Sequence, residues 1–375
     1  MIKGKTEILF CTDGIFPHAV GGMQRHSRLL IEQLAAMPDI SIKVIHPHQG
    51  IRVFENPAIT EIVAVPEKTS ERYLINCYEY SKKIYDIALK HPNAIIYSQG
   101  LSVWYNIGRI GNRVIVNPHG LEPYQSLTTR DYVSGIPFRM IFNHLFKNAA
   151  CIVSLGGRLT PILQSKTSPG KVKVLPNAVN VPELNPRNFN RADGPVKFLF
   201  VGRFALNKGI NILAQAVKEL NAAGYTDKFI FNLVGKGPLF DSYKNEYAFP
   251  NLNFLGFADD DKLSDLYRTN DVFVLPTLFE GMPTVVLEAM ACGMPIIVTD
   301  VGATLEMVDQ SNGFIIEKND VESLKNAILK YSELSDVNKK SMSEASYSRV
   351  KDKFTWKIVA DKHAGLFRSL SQLMN

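Results

Sequence analysis

The sequence has few cysteines and no long apolar run. Its four cysteines, Cys11, Cys77, Cys151 and Cys292, lie far apart and form no Cys-x-x-Cys pair, which argues against a disulfide framework or a cysteine-rich zinc site. We interpret them as buried free thiols in a reducing compartment. No stretch approaches the roughly 18 apolar residues of a membrane-spanning helix, so an integral membrane protein is not expected.

Few apolar residues follow the lysines near the N-terminus. After Lys3 and Lys5 the apolar run covers only residues 8–11, which is too short for the core of a secretory signal peptide. We therefore expect a cytoplasmic protein, which can still dock at the inner face of a membrane.

Positive charge is concentrated in the first half of the chain. Residues 1–185 carry 20 Lys and Arg against 13 Asp and Glu, a net +7, whereas residues 186–375 carry 22 against 23, a net −1. This asymmetry indicates either an anionic partner, such as phosphate or a lipid head group, or a merely solvated face. No basic motif is interleaved with aromatic residues, so we do not expect nucleic acid as a partner.

The chain alternates strand-like and helix-like segments in two successive blocks. In the first block the patterns predict strands at residues 7–11, 42–45, 61–65, 94–97, 113–116, 151–154 and 172–175, and helices at 23–36, 71–90 and 137–147. In the second block they predict strands at 196–201, 229–234, 252–255, 271–275 and 295–298, and helices at 210–220, 284–292 and 321–331. Each block therefore predicts a parallel sheet covered by helices on both faces.

A polar segment rich in turn-forming residues, 185–195, separates the two blocks and is interpreted as a linker. The predicted fold class is α/β, with two Rossmann-like doubly wound domains, residues 1–184 and 196–354, facing each other across a cleft. A final amphipathic segment, 355–375, has an apolar face that could pack back on the first domain. A ligand is expected at the carboxyl ends of the strands.

The most informative motif, FEGMPTVVLEAMACGMP, follows a predicted strand of the second block. Gly281 permits a close approach of the backbone to a ligand, Pro283 suits the start of a helix, and Thr284 could cap it. A helix starting there would direct its positive N-terminal end at a diphosphate. Glu280 in the loop and Glu288 in the helix would contact different parts of one ligand.

Two more turns at strand ends point to phosphate. At residues 200–209, Arg203 and Lys208 lie near the carboxyl end of a strand, where two fixed cations would stabilise a leaving diphosphate without a metal ion. The Gly-x-Gly turn that starts at Gly235 lacks the third glycine of a dinucleotide fingerprint, because Phe240 stands at that position. Taken alone, Arg203 and Lys208 could still be a solvated pair.

Together these motifs resemble the retaining GT-B glycosyltransferases of the family-four group. The Glu-x7-Glu signature of that family is similar to Glu280 and Glu288, and its cationic clamp is similar to Arg203 and Lys208. The N-terminal half contributes three further matches: GGMQRH at residues 21–26 resembles the first glycine-rich loop, NPHGLE at 117–122 the His-Gly loop, and LPNAVN at 175–180 the interdomain strand end, with Ala178 where glycine is commoner. The likeness is strong from residue 196 to about 316 and patchy from 40 to 110.

The resemblance implies a role for each matched position. The implied catalytic residues are His119 beside the sugar, Glu280 on the hydroxyls of the sugar, and Arg203 and Lys208 on the diphosphate, while Glu288 binds the ribose. The other implied donor-binding residues are Gly22, Gly202, Gly235, Gly281, Met282, Pro283 and Val285. The acceptor-side residues in the first domain are Gly21, Arg25 and His26. Without the resemblance, a lone histidine such as His119 would be interpreted as a core histidine.

The implied function is transfer of a hexosyl group from a UDP- or GDP-sugar to a glycan or lipid-linked acceptor, with retention at the anomeric carbon. A departing phosphate oxygen would take the proton of the acceptor, so neither a protein base, a cofactor nor a metal ion is expected. The setting would be synthesis of a surface polysaccharide or glycoconjugate, with contact to an anionic membrane. A nucleotide-sugar epimerase and an inactive sugar-nucleotide-binding protein are the alternatives.

Three other motifs have two interpretations each. His46-Pro47-His48 suggests a metal site, but no carboxylate or cysteine accompanies it at ligand spacing. Residues 259–261, three aspartates, match a metal-binding Asp-x-Asp spacing, yet they precede a predicted helix and are interpreted as its N-terminal cap. Residues 137–147 mix apolar and basic residues, which is typical of an interfacial helix on anionic lipid or of a core helix.

Overall fold

The computed structural model describes residues 5–19, 21–66, 70–125, 128–168, 170–183 and 194–374. The chain divides into two compact units: unit 1 comprises Met1–Ala178 with Trp356–Asn375, and unit 2 comprises Val179–Thr355. The linker predicted at residues 185–195 lies outside the described residues except for Gly194 and Pro195.

Unit 1 is built on a parallel sheet. In chain order its strands are β1 (Thr6–Cys11), β2 (Ile40–His46), β3 (Ile59–Val63), β4 (Ile95–Gln99), β5 (Val114–Asn117), β6 (Cys151–Ser154) and β7 (Val172–Val174). They lie side by side in the order β3-β2-β1-β4-β5-β6-β7, and every neighbouring pair is parallel. The winding direction reverses between β1 and β4, which is where ligands bind in doubly wound sheets.

Helices cover both faces of this sheet, and its central strands are therefore buried on both sides. Before the linker they are α1 (Gly22–Ala35), α2 (Tyr73–Leu89), α3 (Ile107–Ile110), α4 (Thr129–Ser134), α5 (Ile136–Asn148) and α6 (Leu159–Gln164). The buried residues of α1 recur one helical turn apart and form a single stripe: His26, Ser27, Leu30, Ile31 and Leu34.

Unit 2 repeats the plan. Its strands are β8 (Val196–Val201), β9 (Phe229–Val234), β10 (Leu252–Gly256), β11 (Val272–Leu275), β12 (Ile296–Thr299) and β13 (Gly313–Ile316), in the order β10-β9-β8-β11-β12-β13. All neighbouring pairs are parallel, and the winding reverses between β8 and β11. The helices of unit 2 are α7 (Ile210–Ala222), α8 (Phe240–Glu246), α9 (Asp260–Thr269), α10 (Thr284–Ala291), α11 (Thr304–Met307), α12 (Val321–Ser332) and α13 (Asp336–Lys353).

The last helix, α14 (Trp356–Met374), belongs to unit 1. It packs on α1, β1 and β4, where the ring of Phe367 meets Tyr97 edge-on at 5.2 Å between centroids. The guanidinium of Arg368 adds two hydrogen bonds to the carboxylate of Asp39, at 2.7 and 3.0 Å. Among the described residues, no helix combines the length and apolar composition needed to span a bilayer.

Several predicted elements differ from the structure. β3 begins at Ile59 rather than at residue 61, because Ile59 is buried and pairs with Ile42 of β2. β13 and α13 are absent from the sequence prediction. The buried residues of α13 are Ser343, Ser346 and Val350, so most of its core-facing side is polar and the sequence shows no apolar period.

The histidines of the His46-Pro47-His48 motif have structural partners. His46 Nε2 lies 2.9 Å from Glu61 Oε2, while His46 Nδ1 accepts the backbone N–H of His48 at 3.2 Å. The Nε2 atom of His48 accepts the backbone N–H of Ile15 at 3.0 Å. These bonds tie the loops after β1 and β2 together, which is a structural role for both rings.

The three aspartates at residues 259–261 start α9. Asp259 is the N-cap, and its Oδ1 accepts the backbone N–H of Lys262 at 2.9 Å. The prediction of a helix cap is confirmed. Asp260 and Asp261 lie in the first turn, where they interact favourably with the helix dipole.

Candidate active site

The candidate residues fall into two sets, one in each unit. Each set lies in loops at the carboxyl ends of parallel strands and in the helices that follow them. In unit 2 the loops after β8 and β11 bring Lys208 and Glu280 together. Lys208 Nζ donates a hydrogen bond to Glu280 Oε1 at 2.5 Å. The hydroxyl of Thr277 lies 3.1 Å from the same carboxylate oxygen. Glu280 is therefore a buried carboxylate with a cation and a hydroxyl as partners.

The two loops are also joined through their backbones. The carbonyl oxygen of Asn207 accepts the N–H of Leu278 at 2.8 Å and lies 2.8 Å from the Thr277 hydroxyl. Next to it, Gly209 has φ 69°, and a Cβ atom there would overlap the carbonyl group of Pro276. Only glycine satisfies both conditions, so the position of Lys208 depends on Gly209.

Arg203 lies in the same loop but has no such contact. It is exposed, and within the part of the chain that the structure describes no ion pair involves its guanidinium. The structure thus brings Lys208, but not Arg203, to Glu280. Arg203 remains a cation that can bind an anion.

Gly202 and Gly235 are close to each other for a packing reason. The N–H of Gly202 donates to Val234 O at 3.0 Å, and a side chain at Gly235 would overlap the carbonyl group of Gly202. A side chain at Gly237 would likewise overlap the backbone of Phe204. The glycine turn after β9 is therefore explained by strand-end packing before any ligand is considered.

The start of α10 differs from the sequence prediction. Pro283 is the N-cap rather than the first helical residue, with φ −68° and ψ 111°, and no side-chain hydrogen bond caps the helix. The prediction that Thr284 caps it is wrong, because Thr284 is already the first residue of the helix. Met282 is buried, while Gly281 and Val285 are partly exposed at this end. The first backbone N–H groups of the helix are therefore not occupied by a capping side chain.

The loop before α10 is hydrogen-bonded to the turn at Gly302 and Ala303, which the sequence analysis missed. The N–H of Ala303 donates to Gly281 O at 2.8 Å. A side chain at Gly302 would overlap the backbone carbonyls of Glu280 and Gly281. Gly302 lies in the turn after β12, which ends at Thr299, so a glycine near a strand end was the available signal.

Glu288 has a partner that was also missed. The hydroxyl of Tyr267 in α9 donates to Glu288 Oε2 at 2.9 Å. Tyr267 is only 3% exposed, and burial, together with the neighbouring carboxylate of Glu288, raises the pKa of Tyr267 well above its usual value. The phenol therefore stays protonated and holds one carboxylate oxygen of Glu288 in place.

In unit 1 the central residue is His119, which follows β5. Its backbone has φ 59°, an uncommon conformation for a residue other than glycine. The His119 N–H donates to Asn117 Oδ1 at 3.0 Å, and the ring Nε2 is hydrogen-bonded to Gln99 Oε1. Gln99 and Asn117 are paired residues of β4 and β5, so the sheet register places both beneath the ring.

His119 is a neutral imidazole. Burial lowers its pKa to about 3, and the nearby His363 adds to this effect. Because an amide oxygen can only accept, Nε2 carries the proton that His119 donates to Gln99, and Nδ1 is left as an acceptor.

His26 of α1 lies against this ring. The two imidazoles meet edge-on, with 5.3 Å between centroids, and His26 also contacts Trp356 of α14 at 5.3 Å. Burial lowers the pKa of His26 well below its usual value. In the described residues neither ring nitrogen of His26 has a hydrogen-bond partner.

The other predicted acceptor-side residues are less tightly grouped. Gly21 is the N-cap of α1 and Gly22 is its first residue, with open space where a side chain of Gly22 would be. The guanidinium of Arg25 lies 4.7 Å above the centre of the Phe16 ring. The structure therefore joins His26, but not Arg25, to His119.

Two family profiles match the chain in succession. The profile of "Glycosyltransferase Family 4" matches residues 20–182, and that of "Glycosyl transferases group 1" matches residues 182–349. An uncharacterized glycosyltransferase of Methanocaldococcus jannaschii is 28% identical over 321 residues, which cover 83% of this chain and 84% of that protein.

A second relative is the UDP-Gal:alpha-D-GlcNAc-diphosphoundecaprenol alpha-1,3-galactosyltransferase of Escherichia coli. It is 32% identical over 178 residues, 43% of this chain and 45% of that protein. Among solved structures, sucrose-phosphate synthase from Thermosynechococcus elongatus superposes with a TM-score of 0.76 at 21% identity, covering 98% and 99% of the two chains. The fold is therefore GT-B.

The two sheets, the strand-end loops and the matched profiles together define a GT-B glycosyltransferase. The chain belongs to family four, the group-1 glycosyltransferases, and is a transferase that uses a nucleotide sugar.

Proposed function

We propose that this transferase moves a hexosyl group from a UDP-sugar to a lipid-linked acceptor, with retention at the anomeric carbon and without a metal ion. The main structural support is the buried pair of Lys208 and Glu280 beside the uncapped start of α10. The choice of donor and acceptor is supported by the Escherichia coli relative, whose name states UDP-Gal and a diphosphoundecaprenol-linked sugar.

On the donor side, Arg203 and Lys208 bind the diphosphate, and the N–H groups at the start of α10 add donors to it. Glu280, which is already hydrogen-bonded to Lys208, accepts hydrogen bonds from hydroxyls of the transferred sugar. Glu288 binds the ribose with a carboxylate that Tyr267 orients. These two cations take the place of the metal ion that neutralises a leaving diphosphate in other transferases.

The chemical step needs no basic side chain. The bond between the anomeric carbon and the phosphate oxygen breaks, the acceptor oxygen bonds to the same face of that carbon, and the acceptor proton passes to the departing phosphate oxygen. His119 is neutral, so it contributes hydrogen bonding rather than charge. Its Nδ1 can accept a hydrogen bond from a hydroxyl of the transferred sugar.

The donor is tested by measuring nucleotide release from UDP-, GDP- and ADP-sugars in EDTA. We expect turnover of a UDP-sugar by the wild type and its loss in Glu288→Ala. Glu317→Ala, which removes an exposed carboxylate elsewhere in unit 2, is the matched control and should retain activity. Loss of all turnover in EDTA with recovery on adding Mg²⁺ would contradict the metal-free mechanism. An epimerised sugar nucleotide formed without an acceptor would indicate an epimerase.

A membrane-presented acceptor is supported by the surface of α4 and α5. Four apolar side chains are exposed there, with Met140 at 68% and Tyr132 at 58%, together with Val133 and Ile136. Arg130 is exposed beside them, and the guanidinium of Arg139 lies 4.1 Å from the centre of the Tyr132 ring. The opposite side of α5 is buried through Phe142, Leu145 and Phe146. The buried side is that of a core helix, and the exposed side is the one that we propose to rest on lipid.

This surface is tested by co-sedimentation with vesicles of phosphatidylcholine and phosphatidylglycerol. We expect binding at low salt that weakens with salt and with the double substitution Met140→Ser and Ile136→Ser. The matched control is Leu305→Ser with Val337→Ser, two exposed apolar residues of unit 2. Equal binding by both double variants, or no binding at low salt, would contradict a role for this surface.

A further inference from the structure

A chain of hydrogen bonds joins the C-terminal helix α14 to the backbone of His119. His363 Nδ1 is 2.8 Å from Val359 O, and His363 Nε2 is 3.0 Å from the hydroxyl of Tyr97. Asn117 Nδ2 is 3.1 Å from the same hydroxyl, and Asn117 Oδ1 is 3.0 Å from the N–H of His119. His363, Tyr97 and Asn117 have no exposed surface.

The donor and the acceptor of every hydrogen bond in this series follow from the bond between His363 and Val359 O. A carbonyl oxygen only accepts, so His363 Nδ1 carries a proton and donates it to Val359 O. Burial lowers the pKa of His363 to about 4, so the ring is neutral and its Nε2 is a bare acceptor. The Tyr97 hydroxyl must then donate to His363, and its oxygen accepts from the Asn117 amide nitrogen.

This order settles which way the Asn117 amide faces. Its nitrogen is directed to Tyr97, so its oxygen is directed to the N–H of His119. That last bond holds His119 at φ 59°, a backbone conformation that is unfavourable for a residue other than glycine. A reversed amide would set its own N–H groups against the N–H of His119.

We propose that His363 and Tyr97 are positioning residues for His119, acting through Asn117 to keep its backbone, and hence its imidazole, in the orientation seen here. The inference rests on the proposed function in one respect, the role of His119 toward the sugar. It makes α14, which is far away in sequence, a part of the machinery that presents His119.

The decisive variant is Tyr97→Phe, which removes one hydroxyl and keeps the ring. The substrate is the UDP-sugar that the wild type turns over, and release of UDP is measured. We expect kcat to fall about tenfold, because the bound donor meets a misplaced imidazole, while the donor KM stays within about twofold. Tyr80→Phe is the matched control. It removes another buried hydroxyl of unit 1, bonded to Thr12 O at 2.5 Å and Ile45 O at 3.2 Å, and should lower the Tm similarly without changing kcat.

Substitutions at His363 give a second, independent comparison. Glutamine can still accept the Tyr97 hydroxyl through its amide oxygen, so His363→Gln should retain kcat within about twofold. His363→Leu should lower kcat as Tyr97→Phe does. In ¹⁵N-histidine spectra of the wild type, His363 should be protonated at Nδ1 only, and the His119 amide should shift in Tyr97→Phe but not in Tyr80→Phe.

The outcomes separate this proposal from the proposed function. If His119→Ala abolishes turnover while folded Tyr97→Phe and His363→Leu retain it, the positioning role is overturned and the function stands. If His119→Ala itself retains wild-type kcat, the role of His119 toward the sugar is wrong, and the positioning role is overturned with it. A His363 ring protonated at Nε2 would overturn the bond order directly.

Discussion

At the scale of single residues, the candidate site depends on charges and protons held in one state. Lys208 and Glu280 are paired before any donor binds, so neither side chain is an uncompensated charge beneath the surface. Tyr267 stays a phenol and His119 stays a neutral imidazole, because loss of solvation raises the pKa of Tyr267 and lowers that of His119. Arg203, by contrast, is exposed. The site thus combines one preorganised cation with one that a ligand must recruit.

The preorganised cation leads to the first prediction. Lys208→Ala should lower kcat by about 100-fold, since removing one fixed electrostatic group at a transition state typically has an effect of this order. Steady-state kinetics of nucleotide release would measure it. Lys325→Ala is the control, because Lys325 also forms ion pairs in unit 2, with Glu219 at 3.0 Å and Glu322 at 2.6 Å. Equal losses in the two variants would mean that stability, not catalysis, is affected.

At the scale of elements, short loops at strand ends determine where these residues lie. The loop after β8 is locked to the loop after β11 through Asn207 and Gly209. The loop before α10 is supported by the turn after β12. In unit 1 the register of β4 with β5 places Gln99 beside Asn117. The helices and strands supply the framework, and the contacts between loops supply the geometry.

Gly209 provides a test of that locking. Gly209→Ala should destabilise unit 2 by several kcal/mol more than Gly224→Ala and should lower activity as Lys208 is displaced. Gly224 has a similar positive φ of 85° with open space around it, so alanine there meets only the backbone penalty of about 1–2 kcal/mol. Urea unfolding followed by circular dichroism compares the two. If both variants lose the same stability, the contact with Pro276 is unimportant.

At the scale of the whole molecule, three histidines with lowered pKa values belong to unit 1. Unit 1 contains His26, His119 and His363, and burial lowers the pKa of each. It also contains both tryptophans, Trp104 and Trp356. Tryptophan fluorescence therefore reports on the unit that holds the histidine cluster.

Acidification should destabilise unit 1 before it protonates the folded cluster. The unfolded chain binds protons at histidine below a pKa of about 6.5, whereas folded His119 and His363 do so only near about 3 and about 4. The free energy of unfolding therefore rises with pH and falls as the pH drops from about 6.5 to about 4.5, by up to about 4 kcal/mol per pH unit for three such groups. Urea midpoints from tryptophan fluorescence measure this slope.

The control for the acid effect is His363→Gln, which removes one titrating group and should reduce the slope by about a third. Midpoints that do not change between about pH 6.5 and 4.5 would contradict neutral burial of the three rings.

Much of the fold and part of the site follow from the sequence alone. Apolar strands alternating with amphipathic helices predicted two parallel sheets, and β6, β8 and β9 were predicted to the residue, because buried parallel strands are continuous apolar runs. Lys208 and Glu280 stood out because they lie in loops that follow such strands, and Glu288 because it lies in the next helix. His119 stood out only through the resemblance of its loop to the family-four pattern. The start of α10, β13 and α13 were missed or misplaced, since their signals are local backbone geometry or polar burial rather than periodicity.

Other features depend on contacts between residues far apart in the chain. Gln99, Tyr267 and His363 carry no local signal, and their roles appear only when strands β4 and β5, helices α9 and α10, or α14 and β4 are brought together. The sequence by itself determined the two sheets and the chemistry of the loops, because hydrophobic periodicity and strand-end residues are local properties. Only the tertiary structure decided which side chains meet and which proton each one holds. The reason is that burial and hydrogen-bond partners come from neighbours far away in the chain, as between Tyr97 and His363, which are 266 residues apart.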